Sequence, residues 1–246
     1  MDLLGFLWPA LAAGLVLAGI HAYLGLHVLV RGVIFVDLAL AQVAALGAAV
    51  AALAGHPPQS ATAYSYSLAF ALAGAGLLAF TRTAPSRVPQ EALIGVVYVV
   101  AAAAAVLVLD RAPEGAERVK ALLVGNIVAV TPAEVRQLAL LYGAVGLVHW
   151  LFRRRFLDLS WGRLPASAAA RAWDFAFYAS FAVVVTSSVR VAGVLLVFSY
   201  LVIPAAVGAL LADGVGRRLA IGWAVGAATT AAGLAASVAW DLPTGA

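Results

Sequence analysis

Residues 33–53 read VIFVDLALAQVAALGAAVAAL, an apolar run long enough to carry an α-helix across a bilayer. The run nevertheless holds an acid, Asp37, and an amide, Gln42. Such groups lose free energy against hydrocarbon. Within a span they therefore turn towards the bundle interior, another subunit or a water-filled path. A simpler account also fits Asp37: it closely follows Arg31-Gly32, where a carboxylate meets the positive end of the helix and interfacial water. Gln42 lies deeper. The two are five residues apart, a rotation of about 140°, so a regular helix does not aim both at one small site.

Similar runs recur at 5–30, 64–80, 91–109, 132–152, 172–189, 192–211 and 219–240, giving about eight spans with 33–53 included. With 65% of residues hydrophobic and 11% charged, no soluble single domain could hide the apolar surface, so lipid is the solvent for most of the chain. The expected fold is an all-α, polytopic transmembrane helical bundle, a single domain over residues 1–246. Segment 121–130 is too short to cross and reads as a re-entrant or interfacial piece. The N-terminus, MDLLGFLWPALAAG, lacks a basic leading region and reads as a first span rather than a cleaved signal peptide.

The net charge of +4 is better read through topology than as a nucleic-acid signal. Along this alternation Arg31, Arg82, Arg87, Arg153, Arg154, Arg155, Arg163, Arg171, Arg217 and Arg218 fall on one side. Arg111, Arg118, Lys120, Arg136 and Arg190 fall on the other. Basic residues collect in cytoplasmic loops, so the larger set marks the cytoplasmic side and both termini lie outside it. Loop 153–171 is then cytoplasmic and the most basic in the chain.

Several local signals carry a mechanism. Thr131-Pro132-Ala133-Glu134 is a helix start in which Thr caps, Pro takes the first helical position and Glu closes a capping box. His21 and His27 are about 9 Å apart along one helix, which is not a same-face ligand spacing; each could still line a path or simply pack. His149, beside Trp150, reads as an interfacial anchor, and His56 lies in a plain loop. Glu91 and Asp174 read as favourable acids in the first turns of their helices. The chain has no cysteine, which excludes disulfides, thiolate metal sites and iron–sulfur clusters. It shows no Ser/His/Asp grouping, HExxH or glycine-rich phosphate loop, so an enzyme is not expected and any ATP site belongs elsewhere.

Three stretches, spaced in order over most of the chain, together resemble the membrane permease subunit of the bacterial ABC importers for zinc, manganese and iron. They are 31–47, RGVIFVDLALAQVAALG; 122–127, LLVGNI, running into 130–134, VTPAE; and 191–196, VAGVLL, followed by 201–206, LVIPAA. The closing 241–245, DLPTG, fits as well. The resemblance implies an inner-membrane importer of two permease copies, two cytoplasmic ATPase subunits and an extracytoplasmic solute-binding protein. It also implies a short ATPase-contacting helix in loop 153–171, with Arg153, Arg154, Arg155 and Arg163 as its coupling residues. The family's second span usually carries Asp-x-x-x-His with a glycine five residues beyond. Anchored on Gly47, this chain has Gln42 at the histidine position and Leu38 at the aspartate position, with Asp37 one residue early. An amide is a poorer ligand for these metals than imidazole or carboxylate. Loop 153–171 is short for the family, and relatives generally continue into a further apolar segment after DLPTG.

The expectation is therefore a permease moving a divalent metal by alternating access, with no cofactor of its own. Asp37, Gln42, His21 and His27 are the candidate pathway residues, and the metal ligands are unknown. A permease for a metal chelate or small organic solute is the alternative, with an intramembrane enzyme or assembly subunit behind it.

Overall fold

In the computed structural model, residues 3–83, 88–111, 125–163 and 167–242 are described. Among them the secondary structure is entirely helical. The order is α1 (Leu3–Arg31), α2 (Val36–Leu53), α3 (Ala61–Thr83), α4 (Gln90–Leu109), a 3-10 turn (Ile127–Ala129), α5 (Pro132–Leu151), α6 (Arg153–Ser160), α7 (Ala168–Ala192), α8 (Val194–Leu211) and α9 (Val215–Trp240). Seven of these are long and apolar enough to cross a membrane, and α5 with α6, separated by a break at Phe152, meets that standard as a pair. The expected polytopic bundle is what the chain forms. Within segment 121–130, Ile127–Ala129 is the 3-10 turn, while 121–124 lie outside the described residues. So do Arg87, Arg118, Lys120 and the closing 243–246.

The chain groups into two compact units whose segments interleave along the sequence. The first comprises Met1–Val30, Ala121–Leu151 and Ser187–Ala246; the second comprises Arg31–Lys120 and Phe152–Thr186. In the first unit α1, α8 and α9 meet through small residues. A side chain at Gly25 would collide with the Leu201 carbonyl oxygen and the Ala205 Cβ, and one at Gly226 would press on Ala18. Such closeness is what holds helices together in lipid, where burying apolar bulk drives nothing. Gly25→Ala is therefore expected to cost about 1–3 kcal/mol from overpacking. Gly19→Ala, where a Cβ meets nothing within 4 Å, should be neutral or slightly stabilising. Melting temperatures of the two variants in detergent check this.

The start of α5 forms as its sequence dictates. Glu134 Oε2 accepts from the Thr131 N–H at 2.9 Å and from its hydroxyl at 2.8 Å, while the Glu134 N–H donates to Thr131 Oγ1 at 3.3 Å.

In the second unit α2 packs against both α3 and α4. Gly47 brings α2 onto the backbone of α3 at Tyr66 and Ser67. No side chain of α2 caps its own start. The cap comes from α4 instead: the Phe35 N–H donates to Glu91 Oε1 at 3.0 Å. Gln90 Nε2 donates to the Leu78 carbonyl at 3.2 Å and to the Tyr178 hydroxyl at 3.1 Å, tying α4 to α3 and α7. These bonds bring the starts of α2 and α4 and the last turns of α3 together within this unit.

Candidate functional site

Asp37 lies in the first turn of α2 and is fully buried. Among the described residues neither of its carboxylate oxygens has a hydrogen-bond partner. A first-turn acid held by interfacial water would be exposed, so burial removes the simpler account of this residue. Glu91 holds the Phe35 amide with one oxygen, two positions before Asp37, and its other oxygen is buried without a hydrogen-bond partner. The sequence reading treated Glu91 as serving its own helix only. Three unsatisfied carboxylate oxygens thus belong to two acids attached to the N-terminal end of α2. Leaving such groups in a dry interior costs on the order of 1–3 kcal/mol each, so a proton, a cation or a partner is the expected complement.

Gln42 is half-buried on the same unbroken helix. With α2 regular from Val36 to Leu53, the angular separation from Asp37 stands, and the two do not share a face.

His21 and His27 lie in the first unit, both buried. His21 Nδ1 donates to the Leu17 carbonyl at 2.8 Å, which fixes the tautomer and leaves Nε2 to accept from the Ser188 hydroxyl at 3.2 Å. Both ring nitrogens are occupied, and no lone pair is left for a metal. The Tyr142 hydroxyl bonds Ser187 at 3.1 Å, with its ring edge-on to His21. Tyr23 stands between two imidazoles: its ring lies 4.7 Å from that of His27, and its hydroxyl is 3.2 Å from His149 Nδ1. His149 is therefore buried structure and not an interfacial anchor, whereas Trp150 beside it is exposed. The result is a polar seam joining α1, α5 and the end of α7. Tyr142 and Ser187-Ser188 were its overlooked members.

The eight residues of α6 run from an exposed start to a buried end. Phe156, Leu159 and Ser160 are buried, while Arg153, Arg154 and Arg155 are exposed. Arg163 pairs with Asp158 at 3.1 Å, but with 61% and 39% of these side chains exposed the pair contributes at most about 1 kcal/mol. Arg31, counted from the sequence only as a marker of sidedness, is of a different kind. Its side chain is fully buried, Nη1 donates to Asp174 Oδ1 at 3.1 Å and Nε to Ser160 Oγ at 2.8 Å. The guanidinium lies 3.7 Å over the Phe177 ring. Asp174 is thus the buried partner of Arg31 and more than a helix-start acid.

Among the described residues no three His, Asp or Glu side chains gather into a metal-binding group. The family model that describes the ABC 3 transport family matches residues 4–246. The chain belongs to the ABC 3 transport family. This ABC 3 protein is 23% identical over 249 residues to a probable iron transport system membrane protein of Haemophilus influenzae, covering 98% of this chain and 84% of that one. Among solved structures, PsaBC from Streptococcus pneumoniae in complex with Fab is similar with a TM-score of 0.78 and 20% identity, over 98% of this chain and 85% of that one. A second, in an inward-facing conformation and provisionally described as a metal-chelate type ABC transporter, gives 0.72 and 15% identity, over 96% and 80%. At those identities the structural likeness is one of fold. The family resemblance read from the three motifs holds, and the ABC 3 chain is a multi-pass membrane permease of an ABC transporter, a transport subunit.

Proposed function

We propose that this ABC 3 permease imports a divalent metal across the inner membrane, with Asp37 on the wall of the path. The observation that carries the reading is a fully buried, unpartnered carboxylate on a spanning helix of a transport protein. The iron transport relative supports the choice of substrate class. His21 takes a structural role, because both ring nitrogens are already engaged. The hydrolysis chemistry belongs to cytoplasmic ATPase partners, whose dimerisation on ATP moves the helices of two permease copies and exposes the path to either side in turn. An extracytoplasmic binding protein delivers the substrate.

The exposed arginine turn that opens α6 is the contact for the ATPase. Arg153, Arg154 and Arg155 each changed to Glu are expected to weaken ATPase association by about tenfold or more, since charges that complement a partner become repulsive. The folding of the permease should be unaffected, because these side chains are exposed. Co-purification of the ATPase at wild-type levels would count against this placement.

A metal chelate is the second reading. It is favoured by Gln42 and Leu38 at the family's ligand positions and by the lack of a three-ligand group among the described residues. Reconstitution of the permease with its ATPase and binding protein in liposomes, given Fe²⁺, Mn²⁺ or Zn²⁺ as free ions and as chelates, separates the two. ATP-dependent accumulation of a free ion supports the metal reading. Accumulation of chelates alone supports the second, and accumulation of neither removes both.

A further inference from the structure

We infer that Arg31 is a positioning residue that carries movement of α6 to α2, the helix bearing Asp37. The inference rests on the reading of α6 as the contact for the ATPase. Its grounds lie within the second unit. Arg31 reaches the buried face of α6 through Ser160 and the first turns of α7 through Asp174, and it stacks on Phe177. Only residues 32–35 separate it from α2.

A second connection runs in parallel from α7. The Tyr178 hydroxyl accepts from Gln90, and the neighbouring Glu91 holds the Phe35 amide at the start of α2. Apolar contacts between helices are non-directional and let one helix slide over another. A planar guanidinium held by two hydrogen bonds and a stacked ring does not, because its geometry fits one arrangement only. Burying a permanent charge is costly, and an apolar core would pack this junction as well or better. A directional clamp between the contact helix and the path helix gives that cost a purpose.

The native chain contains no cysteine, so a single thiol reports cleanly on α2. In the permease–ATPase complex, the thiol-labelling rate of a Gln42→Cys variant would be compared without nucleotide and with ATP plus vanadate. Nucleotide trapping is expected to shift that rate. Adding Ser160→Ala, or Arg31→Lys, should shrink the shift by about fivefold, the low end of the usual coupling between sites. The two together should do no more than either alone, because both remove the same hydrogen-bonded link. Ser160→Ala deletes one hydroxyl at the buried end of α6 and leaves the three arginines of its first turn intact, so it carries the test even if Arg31→Lys folds poorly.

A full shift in the Ser160→Ala variant, with ATPase still bound, overturns the inference and leaves Arg31 as a static clamp. Loss of ATPase binding in that variant also overturns it, since Ser160 would then act in docking. If the Gln42→Cys parent itself shows no shift, alternating access driven by the ATPase fails, and this inference falls with it.

Discussion

Replacing Arg31 with alanine is expected to destabilise the permease by about 3–5 kcal/mol, the usual result of removing one partner from a buried ion pair. The substitution removes the Arg31 guanidinium from the Asp174 carboxylate, with 4% of its side chain exposed, and strips the Ser160 hydroxyl of a donor. It also opens a void over Phe177, where the guanidinium now lies. The double variant Arg31→Met, Asp174→Leu removes both charges and refills the space, so it should recover most of the lost stability. Denaturant unfolding in mixed micelles measures both. A loss below about 1 kcal/mol in Arg31→Ala would mean that the pair is effectively solvated, as at exposed sites.

This junction also shows where sequence reasoning ran out. Arg31 and Asp174 are separated by 143 positions, and Phe35 and Glu91 by 56. Each looked complete where it stood, Arg31 as a topological marker and the acids as helix-start groups. Nothing local reveals that a side chain serves a distant element. The spans were legible because twenty apolar residues in a row admit few alternatives: α4 was expected at 91–109 and runs Gln90–Leu109. Which face of each helix turns inward was not legible, since helices apolar on every side carry no pattern to read. Hence His149 was misplaced at the interface.

Short-range geometry fared better. The angular separation of Asp37 and Gln42 followed from helix dimensions alone, and the Thr131–Glu134 cap formed as its residues require. The exposed start of α6 was legible in RRRFLDLS, whose three charges precede the apolar Phe156 and Leu159.

The second large effect concerns Asp37. A buried carboxylate without hydrogen bonds opposes folding, and a leucine in its place would remove that opposition. Asp37→Leu is therefore expected to raise stability by about 1–3 kcal/mol while abolishing transport. Gain of one with loss of the other is the mark of a group kept for function. Loss of stability on the same change would instead assign Asp37 a structural role.

The most direct test is ATP-driven accumulation of Fe²⁺, Mn²⁺ or Zn²⁺ in proteoliposomes supplied with the ATPase and the binding protein, wild type against Asp37→Asn, a change that removes the charge and keeps the shape. A carboxylate on the wall of the path predicts that Asp37→Asn folds, binds the ATPase and loses accumulation by about tenfold or more, equivalent to 1.4 kcal/mol or more on the rate-limiting barrier. Accumulation at the wild-type rate by Asp37→Asn would contradict the account.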